Sequence, residues 1–509
     1  MRENWIEIEL GEISQIYNGN SINEKVKEEK YQVCKIGLNY IGTKDIGFDG
    51  VIVYENGVKI PYEEPKFKIA PKNCVLVCSE GGSAGKKTAY TKEDICFGNK
   101  LYAIVNKFFV FEGKYVYYYT RYQKFFKSFQ NQMNGIIGGV SVKKFSNITI
   151  PLAPLLEQKA IVAKIEQLFS ELDNGISNLK TAQAKLKIYR QAVLKKAFEG
   201  ELTKEWREKQ TNLPTADELL EQIKKEREVH YKQQLEEWKQ AVKDWEENGK
   251  DGKRPSRISK PKILDEVTTE EIDTYSELPI SWKWERFNNV THKIGDIDHK
   301  MPKPSENGIP YLSTGNIYAD GTMDFQNAKT ISEEDYKRLA LKIKPEKNDI
   351  IFPRYGTIGR NILVNIDKKF LVSYSCAIIK NINKYINAKY AHYYSLSPVI
   401  KKEIKRYTVQ TTQANIGIAS IENFVFPLCS FEEQNQIVQE IESRLSVCDK
   451  IEETIETSLV KSEALRQSIL KKAFEGKLLS EQELENIKNH PEYESAETLL
   501  ENIKKERTK

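Results

Sequence analysis

Two long stretches of the chain carry apolar residues at helical spacing. In residues 156–198 these are Ile161, Ile165, Leu168, Phe169, Leu172, Ile176, Leu179, Leu186, Val193 and Leu194, and residues 431–474 repeat the design. The period predicts two helices of about 40 residues, each about 60 Å long. One compact domain could not bury so long a stripe, so we predict that the two helices form an antiparallel coiled coil. Two separate helical domains are the alternative.

A block of short β-type runs precedes each long helix. The runs VCKIGL, GVIVY, CVLVCS and LYAIV in the first block, and IIFPRYG and FLVSYSCAIIK in the second, lie between Gly, Asn and Pro turns. Each block then continues into a helical stretch rich in aromatic and basic residues, KYVYYYTRYQKFFKSFQ or KYAHYYSLSPVIKKEIKRY. The pattern predicts a mixed α/β fold, with two globular α/β blocks separated by the long helices.

The remaining segments are charged in both signs. Residues 204–274 predict a surface helix from about Thr215 to Glu247, followed by a flexible connector, NGKDGKRPSRISKPK. The predicted division is a variable block (1–150), a long helix (151–203), a charged extension with linker (204–274), a second block (275–426), a second long helix (427–479) and a C-terminal helical extension (480–509).

The sequence contains an internal repeat. RQAVLKKAFEG, which starts at Arg190, returns 276 residues later as RQSILKKAFEG from Arg466, with nine of the eleven residues identical. Trp5 also pairs with Trp282, and ADELLEQIKKER from Ala216 is echoed by AETLLENIKKER from Ala496. The helix sequences are similar in the two halves, whereas the blocks before them differ. This is the pattern expected of one shared scaffold that carries two different binding blocks.

Charge separates the blocks from the helices. Residues 1–150 hold 21 Lys and Arg against 16 Asp and Glu, residues 275–426 hold 22 against 15, and the rest hold 35 against 42. Positive blocks suit a polyanion, although this charge is also ordinary for a domain of such size. With 30% charged residues, no long apolar run, no signal-peptide core and seven cysteines, the sequence predicts a cytoplasmic protein with reduced thiols and no membrane contact. Cys74 and Cys78 are predicted to be buried thiols rather than a zinc site.

Glycine loops lie within both blocks. SEGGSAGKK (79–87) fails the phosphate-loop pattern, because Glu80 stands where the first Gly belongs and Lys87 where Ser or Thr belongs. We predict instead a turn between strands whose tip contacts DNA phosphates or groove edges, and a simple tight turn is the alternative. The DNA-contacting candidates are Gly82, Gly85, Lys86 and Lys87 in the first loop and Arg354, Tyr355, Gly356, Gly359 and Arg360 in the second.

The aromatic–basic helices and the polar segments after them are further DNA-binding candidates. Lys124 and Lys127 could lie on the DNA backbone, unless the aromatic residues form core and the lysines a solvated face. Asn134, Gln413 and Asn415 lie in the polar segments 130–141 and 410–415, and amide side chains can pair with the edge of adenine.

Catalytic motifs are missing from the sequence. The five histidines lie in no metal-ligand or triad spacing, and HExxH, GxSxG, GxGxxG and Asn/Asp-Pro-Pro-aromatic segments do not occur. This favours a non-catalytic binder that directs the chemistry of other proteins. An enzyme with built-in methylation or cleavage and a purely structural coiled-coil adaptor are the alternatives.

Over essentially its whole length the chain resembles the specificity subunits of type I restriction–modification systems. Each half opens with tryptophans (NWIEIELGEI, SWKWERFNNV), continues through a Gly-x-x-Gly loop and IPLAPLLEQ (150–158) or FPLCSFEEQ (426–434), and ends its helix with LKKAFEG. Family loops often carry Arg before the first Gly, as Arg354 does here, whereas the first half has Glu80. No short tandem repeat is visible within the spacer.

The resemblance implies a DNA-recognition subunit with two target recognition domains, 1–150 and 275–426, each reading half of a bipartite, gapped site in double-stranded DNA. It implies two modification (methyltransferase) subunits and two restriction (translocase and nuclease) subunits as partners. S-adenosylmethionine, ATP and Mg²⁺ are expected on those partners, and this chain is expected to bind no cofactor or metal. We predict that the repeated helix ends dock the partners through Arg190, Lys195, Lys196, Phe198, Arg466, Lys471, Lys472 and Phe474.

Overall fold

The computed structural model describes residues 2, 4–133, 135, 138–250, 254–318, 320–408 and 414–507. The chain divides into two compact units. Unit 1 comprises Met1–Thr181 and Thr454–Lys509, and unit 2 comprises Ala182–Glu453. Each unit contains one predicted block and a portion of both long helices. Within the described ranges, no helix is long and apolar enough to span a bilayer.

The strands and helices of unit 1 follow the predicted mixed α/β pattern. The strands are β1 (Ile6–Glu9), β2 (Gln15–Asn18), β3 (Leu38–Ile41), β4 (Lys59–Ile60), β5 (Ile69–Ala70), β6 (Val75–Cys78), β7 (Thr88–Tyr90), β8 (Ile95–Phe97), β9 (Leu101–Val105) and β10 (Thr149–Leu152). The helices before the first long one are α1 (Leu10–Ile13), α2 (Glu24–Val26), α3 (Gly113–Thr120), α4 (Gln123–Asn131) and α5 (Val142–Ser146). A π-helical turn covers Lys27–Tyr31 and a 3-10 turn covers Thr43–Asp45.

The first long helix, α6 (Leu155–Phe198), leads into unit 2. The other helices of unit 2 before the second long one are α7 (Lys204–Glu208), α8 (Ala216–Glu247), α9 (Thr269–Ile272), α10 (Glu333–Ala340), α11 (Ala388–Ser395), α12 (Pro398–Tyr407) and α13 (Ile418–Glu422). Its strands are β11 (Lys283–Arg286), β12 (Thr291–Gly295), β13 (Ile309–Leu312), β14 (Lys329–Ile331), β15 (Ile350–Pro353), β16 (Ile362–Leu363), β17 (Leu371–Val372), β18 (Cys376–Asn381) and β19 (Val425–Leu428), with 3-10 turns at Phe287–Val290 and Thr314–Asn316. The second long helix, α14 (Phe431–Phe474), returns to unit 1, which ends with α15 (Glu481–Lys488) and α16 (Ala496–Arg507).

The main sheets of the two units share one strand order. Unit 1 has a sheet of order β2-β9-β6-β7 and unit 2 has its counterpart β12-β18-β15-β16, both antiparallel. A second sheet in each unit contains one parallel pair, β3 with β8 or β13 with β17. The first strand of each block pairs with its last, β1 with β10 and β11 with β19, so each block is closed by its own ends.

The two long helices pack against each other antiparallel, as predicted. In unit 1 the Arg466 guanidinium contacts the Asp173 carboxylate, and in unit 2 the Arg190 guanidinium lies 2.7 Å from Asp449, so the same ion pair occurs once in each unit. Both helices contain 44 residues and end two residues before a glycine of positive φ, Gly200 at 75° or Gly476 at 73°. A left-handed residue there lets the last carbonyls be satisfied and stops the helix.

A buried Glu-Gln pair at the start of each long helix ties that helix to its block. Glu157 accepts a hydrogen bond from Trp5 Nε1 at 3.0 Å, and Glu433 accepts one from Trp282 Nε1 at 2.8 Å. The next residue, Gln158 or Gln434, donates to a carbonyl just before the helix and accepts from a backbone N–H. These contacts explain why the Trp and Glu-Gln positions recur in the sequence, since each buried polar group requires its partner.

The aromatic–basic stretch of each block is two helices rather than the single one predicted. Tyr115 and Tyr119 of α3 and Phe125 and Phe129 of α4 all enter the core of unit 1. Phe125 comes six residues after Tyr119, which is about one and two-thirds turns of a helix. On one straight helix its side chain would therefore point about 120° away from that of Tyr119. The break lets both sets reach the core. In unit 2, Pro398 begins α12 at a position where proline is favoured.

The predicted surface helix is present as α8, with a capping box between Thr215 and Glu218. Residues 262–265, at the end of the predicted connector and just after it, are held by hydrogen bonds, and the flexibility of the connector stays a prediction. Asn289 exchanges two bonds of 2.9 Å with the backbone of Leu264, and Asn288 donates to Lys262 O at 2.8 Å. Two buried Asn side chains of the following block therefore fix these residues in place.

Unit 2 should lose stability in mild acid. The rings of His292 on β12 and His230 on α8 lie 4.3 Å apart, and burial, then the charge of His230, lowers the pKa of His292 from 6.5 to about 4. Glu226, Arg227 and Lys380 also act on His292. The folded state therefore binds fewer protons than the unfolded chain, so stability is fully present above pH 6.5 and is lost as the pH falls toward 4.

We expect His292→Gln to flatten this pH dependence. The melting temperature, followed from pH 7 to pH 4.5, should fall less for the variant, by roughly 2–4 °C for about 1 kcal/mol once solvent screening is allowed for. The exposed His490 gives the control His490→Gln, which should follow the parent curve. Parallel curves for the parent and His292→Gln would contradict the assignment.

Candidate nucleic-acid interface

In each unit the glycine loop is a turn between antiparallel strands, as predicted. The loop of unit 1 (79–87) joins β6 to β7, and the loop of unit 2 (353–361) joins β15 to β16. Gly81 and Gly85 have φ of 81° and 68°, and Gly356 and Gly359 have φ of 67° and 86°. Residues with side chains rarely adopt these angles, so the turns require glycine. The alternative of a tight turn is thus satisfied in both units, and a DNA contact stays a prediction.

Strand register changes the alignment of the two loops. Cys78 pairs with Leu101 in unit 1 just as Pro353 pairs with Cys376 in unit 2, so the residue after each, Ser79 and Arg354, is equivalent. The hydrogen bonds to their carbonyls agree, since Val140 N donates to Ser79 O and Ile416 N donates to Arg354 O. The sequence alignment of Glu80 with Arg354 is therefore wrong by one residue, because the first loop is two residues longer between its paired strands (Leu76 with Ala89, against Ile351 with Ile362).

Three segments that the sequence singled out converge in each unit. A Cβ on Gly85 would lie 2.6 Å from Phe129 of α4, and one on Gly359 would lie 3.2 Å from Ile404 of α12. The second helix of each pair therefore supports the glycine loop. The end of the polar segment also returns to this loop, through Val140 in unit 1 and through the backbone bridge between Tyr355 and Asn415 in unit 2. Asn134 and Gln413 lie outside the described residues.

The predicted DNA-contacting residues of unit 1 differ in their surroundings. Gly82, Lys86, Lys124 and Lys127 are exposed, although Lys124 lies 3.7 Å from Glu7. Lys87 donates to Thr43 O at 3.0 Å and lies over the Phe48 ring. The aromatic residues of α3 and α4 that were left open between core and DNA contact are largely core, since Tyr115, Tyr119, Phe125 and Phe129 are buried. Lys86, Lys124 and Lys127 remain available to a polyanion.

In unit 2 the structure places the Arg354 side chain in the interior, contrary to the expectation of a surface phosphate contact. Its side chain is 5% exposed and its guanidinium lies 2.7 Å from Asp296. Tyr355 is half-buried, whereas Gly356 and Arg360 are exposed and Gly359 is intermediate. Asp296 carried no sequence signal. It follows directly on β12, which β18 separates from β15, the strand that leads into the glycine loop.

The repeated helix ends, predicted to bind partners, also divide into internal and exposed residues. Phe198 and Phe474 are 1% and 5% exposed. Phe474 packs on Tyr115 and Tyr119 with ring centroids 5.1 Å apart, and Phe198 packs likewise on Tyr390 and Tyr394. Burial excludes these two phenylalanines from a surface contact. Lys195, Lys196, Lys471 and Lys472 are exposed and keep the prediction of partner binding.

Arg190 and Arg466 are committed within their units. Arg190 contacts both Asp449 and Glu452, while Arg466 contacts Asp173 and lies over the Phe169 ring. Both arginines join the two long helices. A partner could contact only the part of each guanidinium that these ion pairs leave exposed. Cys74 and Cys78 are buried thiols, and burial raises the pKa of Cys74 to about 12.

The chain matches the family described as the type I restriction modification DNA specificity domain over residues 2–181 and 288–461. It is 26% identical to the type I restriction enzyme EcoBI specificity subunit of Escherichia coli over 523 residues, covering 100% of this chain and 93% of that protein. It is 24% identical to the EcoKI specificity subunit of Escherichia coli strain K12, covering 86% and 82%.

Two solved structures have the same fold. One belongs to a study of complex assembly and conformational transition of the type I R-M system, with a TM-score of 0.58, 16% identity and coverage of 94% of this chain and 99% of that chain. The other is the HsdS subunit of Thermoanaerobacter tengcongensis, with a TM-score of 0.51, 16% identity and coverage of 94% and 98%. At this identity the likeness concerns the fold alone. Together with the family match over two repeats, these findings show that the chain belongs to the DNA specificity subunits of type I restriction–modification systems.

Proposed function

We propose that each unit reads one half of a bipartite DNA target, while the long helices hold the partner subunits. The observation that carries this proposal is the repeated convergence of a glycine turn, a supporting helix and the end of a polar segment, once in unit 1 and once in unit 2. The scaffold repeats contact for contact, but the loops differ in length and chemistry. Two unlike surfaces on one frame suit two unlike half-sites.

A partner face is repeated on the long helices. Tyr189 is 45% exposed, and Lys185 and Lys196, four residues before and seven after it, lie on the same side of α6. At the repeat offset of 276 residues, Leu465 is 50% exposed between Lys461 and Lys472 on α14. Apolar residues flanked by lysines, once in each unit, suit two copies of one partner.

The proposed partners are two modification subunits and two restriction subunits. S-adenosylmethionine, ATP and Mg²⁺ would be bound by those partners, and this chain would contribute recognition and assembly without a reaction centre of its own. A purified chain that binds S-adenosylmethionine or nicks DNA by itself would favour the enzyme alternative instead.

Exchange of residues 275–426 for the equivalent block of another family member should change one half of the target only. Each block is closed by pairing of its own first and last strands, and the last two residues of each closing strand, Pro151–Leu152 or Pro427–Leu428, stay with the long helices of the parent chain. Methylated sites mapped across the genome of cells that make the complete complex would show the result. The reciprocal exchange of residues 1–150 is the control and should change the other half. A change in both halves from either exchange would refute the division between the units.

A further inference from the structure

One buried carboxylate in unit 2 contacts nitrogen-bearing side chains from three separate segments. Asp296 Oδ2 lies 2.7 Å from Arg354 of the glycine loop and 3.2 Å from His299 Nε2, and Asp296 Oδ1 lies 3.1 Å from Lys342 Nζ. The Asp296 side chain is 9% exposed and the Arg354 side chain is 5% exposed. Breaking a desolvated ion pair of this kind is costly, because it leaves an uncompensated buried charge.

Arg354 passes this constraint to the surfaces around it. Its guanidinium donates to Ile416 O at 3.1 Å, at the end of the polar segment, and to Tyr374 O at 2.9 Å, beside β18. Tyr374 in turn stacks on His299 with centroids 4.7 Å apart and meets Tyr355 edge-on. The glycine loop, Ile416 just after the polar segment, the loop before β18 and the loop after β12 are thus joined through the Asp296–Arg354 pair.

Unit 1 lacks this arrangement. By strand register Asn18 stands where Asp296 stands, since Tyr17 and Gly295 are paired with Ala103 and Ile378 on equivalent strands. Ser79 takes the place of Arg354. Asn18 accepts from Lys68 at 3.2 Å instead. The buried ion pair therefore belongs to unit 2 and not to the scaffold that the two units share. A residue that sets the specificity of one unit is expected to differ between the units in this way.

We propose that Asp296 is a positioning residue for DNA reading by unit 2, fixing four loops in the arrangement that selects its half-site. The proposal rests on the function proposed above. It requires no direct contact between Asp296 and DNA. Its effect is confined to one half of the target, whereas a defect in folding of the frame or in assembly would weaken recognition of both halves.

The test uses the full chain assembled with its modification subunits and a library of randomised DNA duplexes, with methylated products sequenced. For Asp296→Asn we expect base selectivity in the half-site of unit 2 to fall about tenfold or more, since each wrong base pair in a site typically costs this much, while selectivity in the other half stays within about twofold. The matched control is Asp298→Asn, an exposed aspartate two residues away, which should leave both halves unchanged.

A second variant separates positioning from the effect of leaving the buried Arg354 without its acid. Asp296→Leu combined with Arg354→Met removes both charges, a change that buried pairs often tolerate without loss of stability. We expect this variant to fold, with the parent melting temperature roughly retained, and still to lose selectivity in the same half-site. It also serves if Asp296→Asn fails to fold.

Recovery of parent selectivity by the double variant would overturn the proposal, as would unchanged or equally reduced selectivity in the two halves for a folded Asp296→Asn. The parent complex tests the proposed function in the same experiment. If its methylated products show no bipartite pattern, the function of the two units is wrong independently of Asp296.

Discussion

Phe474→Ala is expected to destabilise unit 1 by about 3–5 kcal/mol, the usual cost of emptying a buried aromatic site. Phe474 packs on Tyr115 and Tyr119 of α3, whose hydroxyls donate to Pro151 O and Thr149 O at 2.7 Å. The residue therefore joins the end of α14 to the block that opens the chain. Its removal leaves a cavity between two elements that are far apart in sequence.

Hydrogen exchange followed by mass spectrometry would locate the effect. Protection should fall in α3, β10 and the end of α14, and the equivalent Phe198→Ala should act instead on α11, β19 and the end of α6. The exposed Phe109, at 81%, gives the control Phe109→Ala, which should change stability by less than about 0.5 kcal/mol. Uniform loss of protection over both units from either phenylalanine variant would argue against their separate roles.

The second large effect should be loss of assembly. Tyr189→Asp combined with Leu465→Asp is expected to prevent stable binding of modification subunits, because an anion would replace the apolar centre of each lysine-flanked face. A central interface residue of this kind contributes roughly 2 kcal/mol or more, about thirtyfold in affinity for each site. Mass photometry of the mixed subunits would record the number of partners bound.

The single variants sharpen this prediction. Tyr189→Asp alone should leave one modification subunit bound per chain, and so should Leu465→Asp alone. Val460→Asp is the matched control, because Val460 is 75% exposed on α14 but lies five residues from Leu465, about 140° around the helix. Equal loss from Val460→Asp, or two partners still bound by the double variant, would count against the proposed face.

Much of the candidate interface could be predicted because its signals are local. Tight turns are indicated by residue type at Gly85, Gly356 and Gly359, and the short apolar runs on either side predict strands. Arg354 could not be placed, since a lone arginine beside a glycine loop is as suited to a phosphate as to a buried acid. Asp296, 58 residues earlier, has no sequence feature that joins it to Arg354.

The sequence by itself determined the repeat, the two long helices, the mixed α/β class and the surface helix from about Thr215, because periodicity acts over a few residues, and the length of the two helices indicated their antiparallel pairing. Tertiary structure decided the rest. It turned Phe198 and Phe474 inward, matched Ser79 with Arg354 through strand register and fixed Leu264, just after the connector, through Asn289. These outcomes depend on packing and hydrogen bonding between residues distant in the chain, where burial outweighs any local preference.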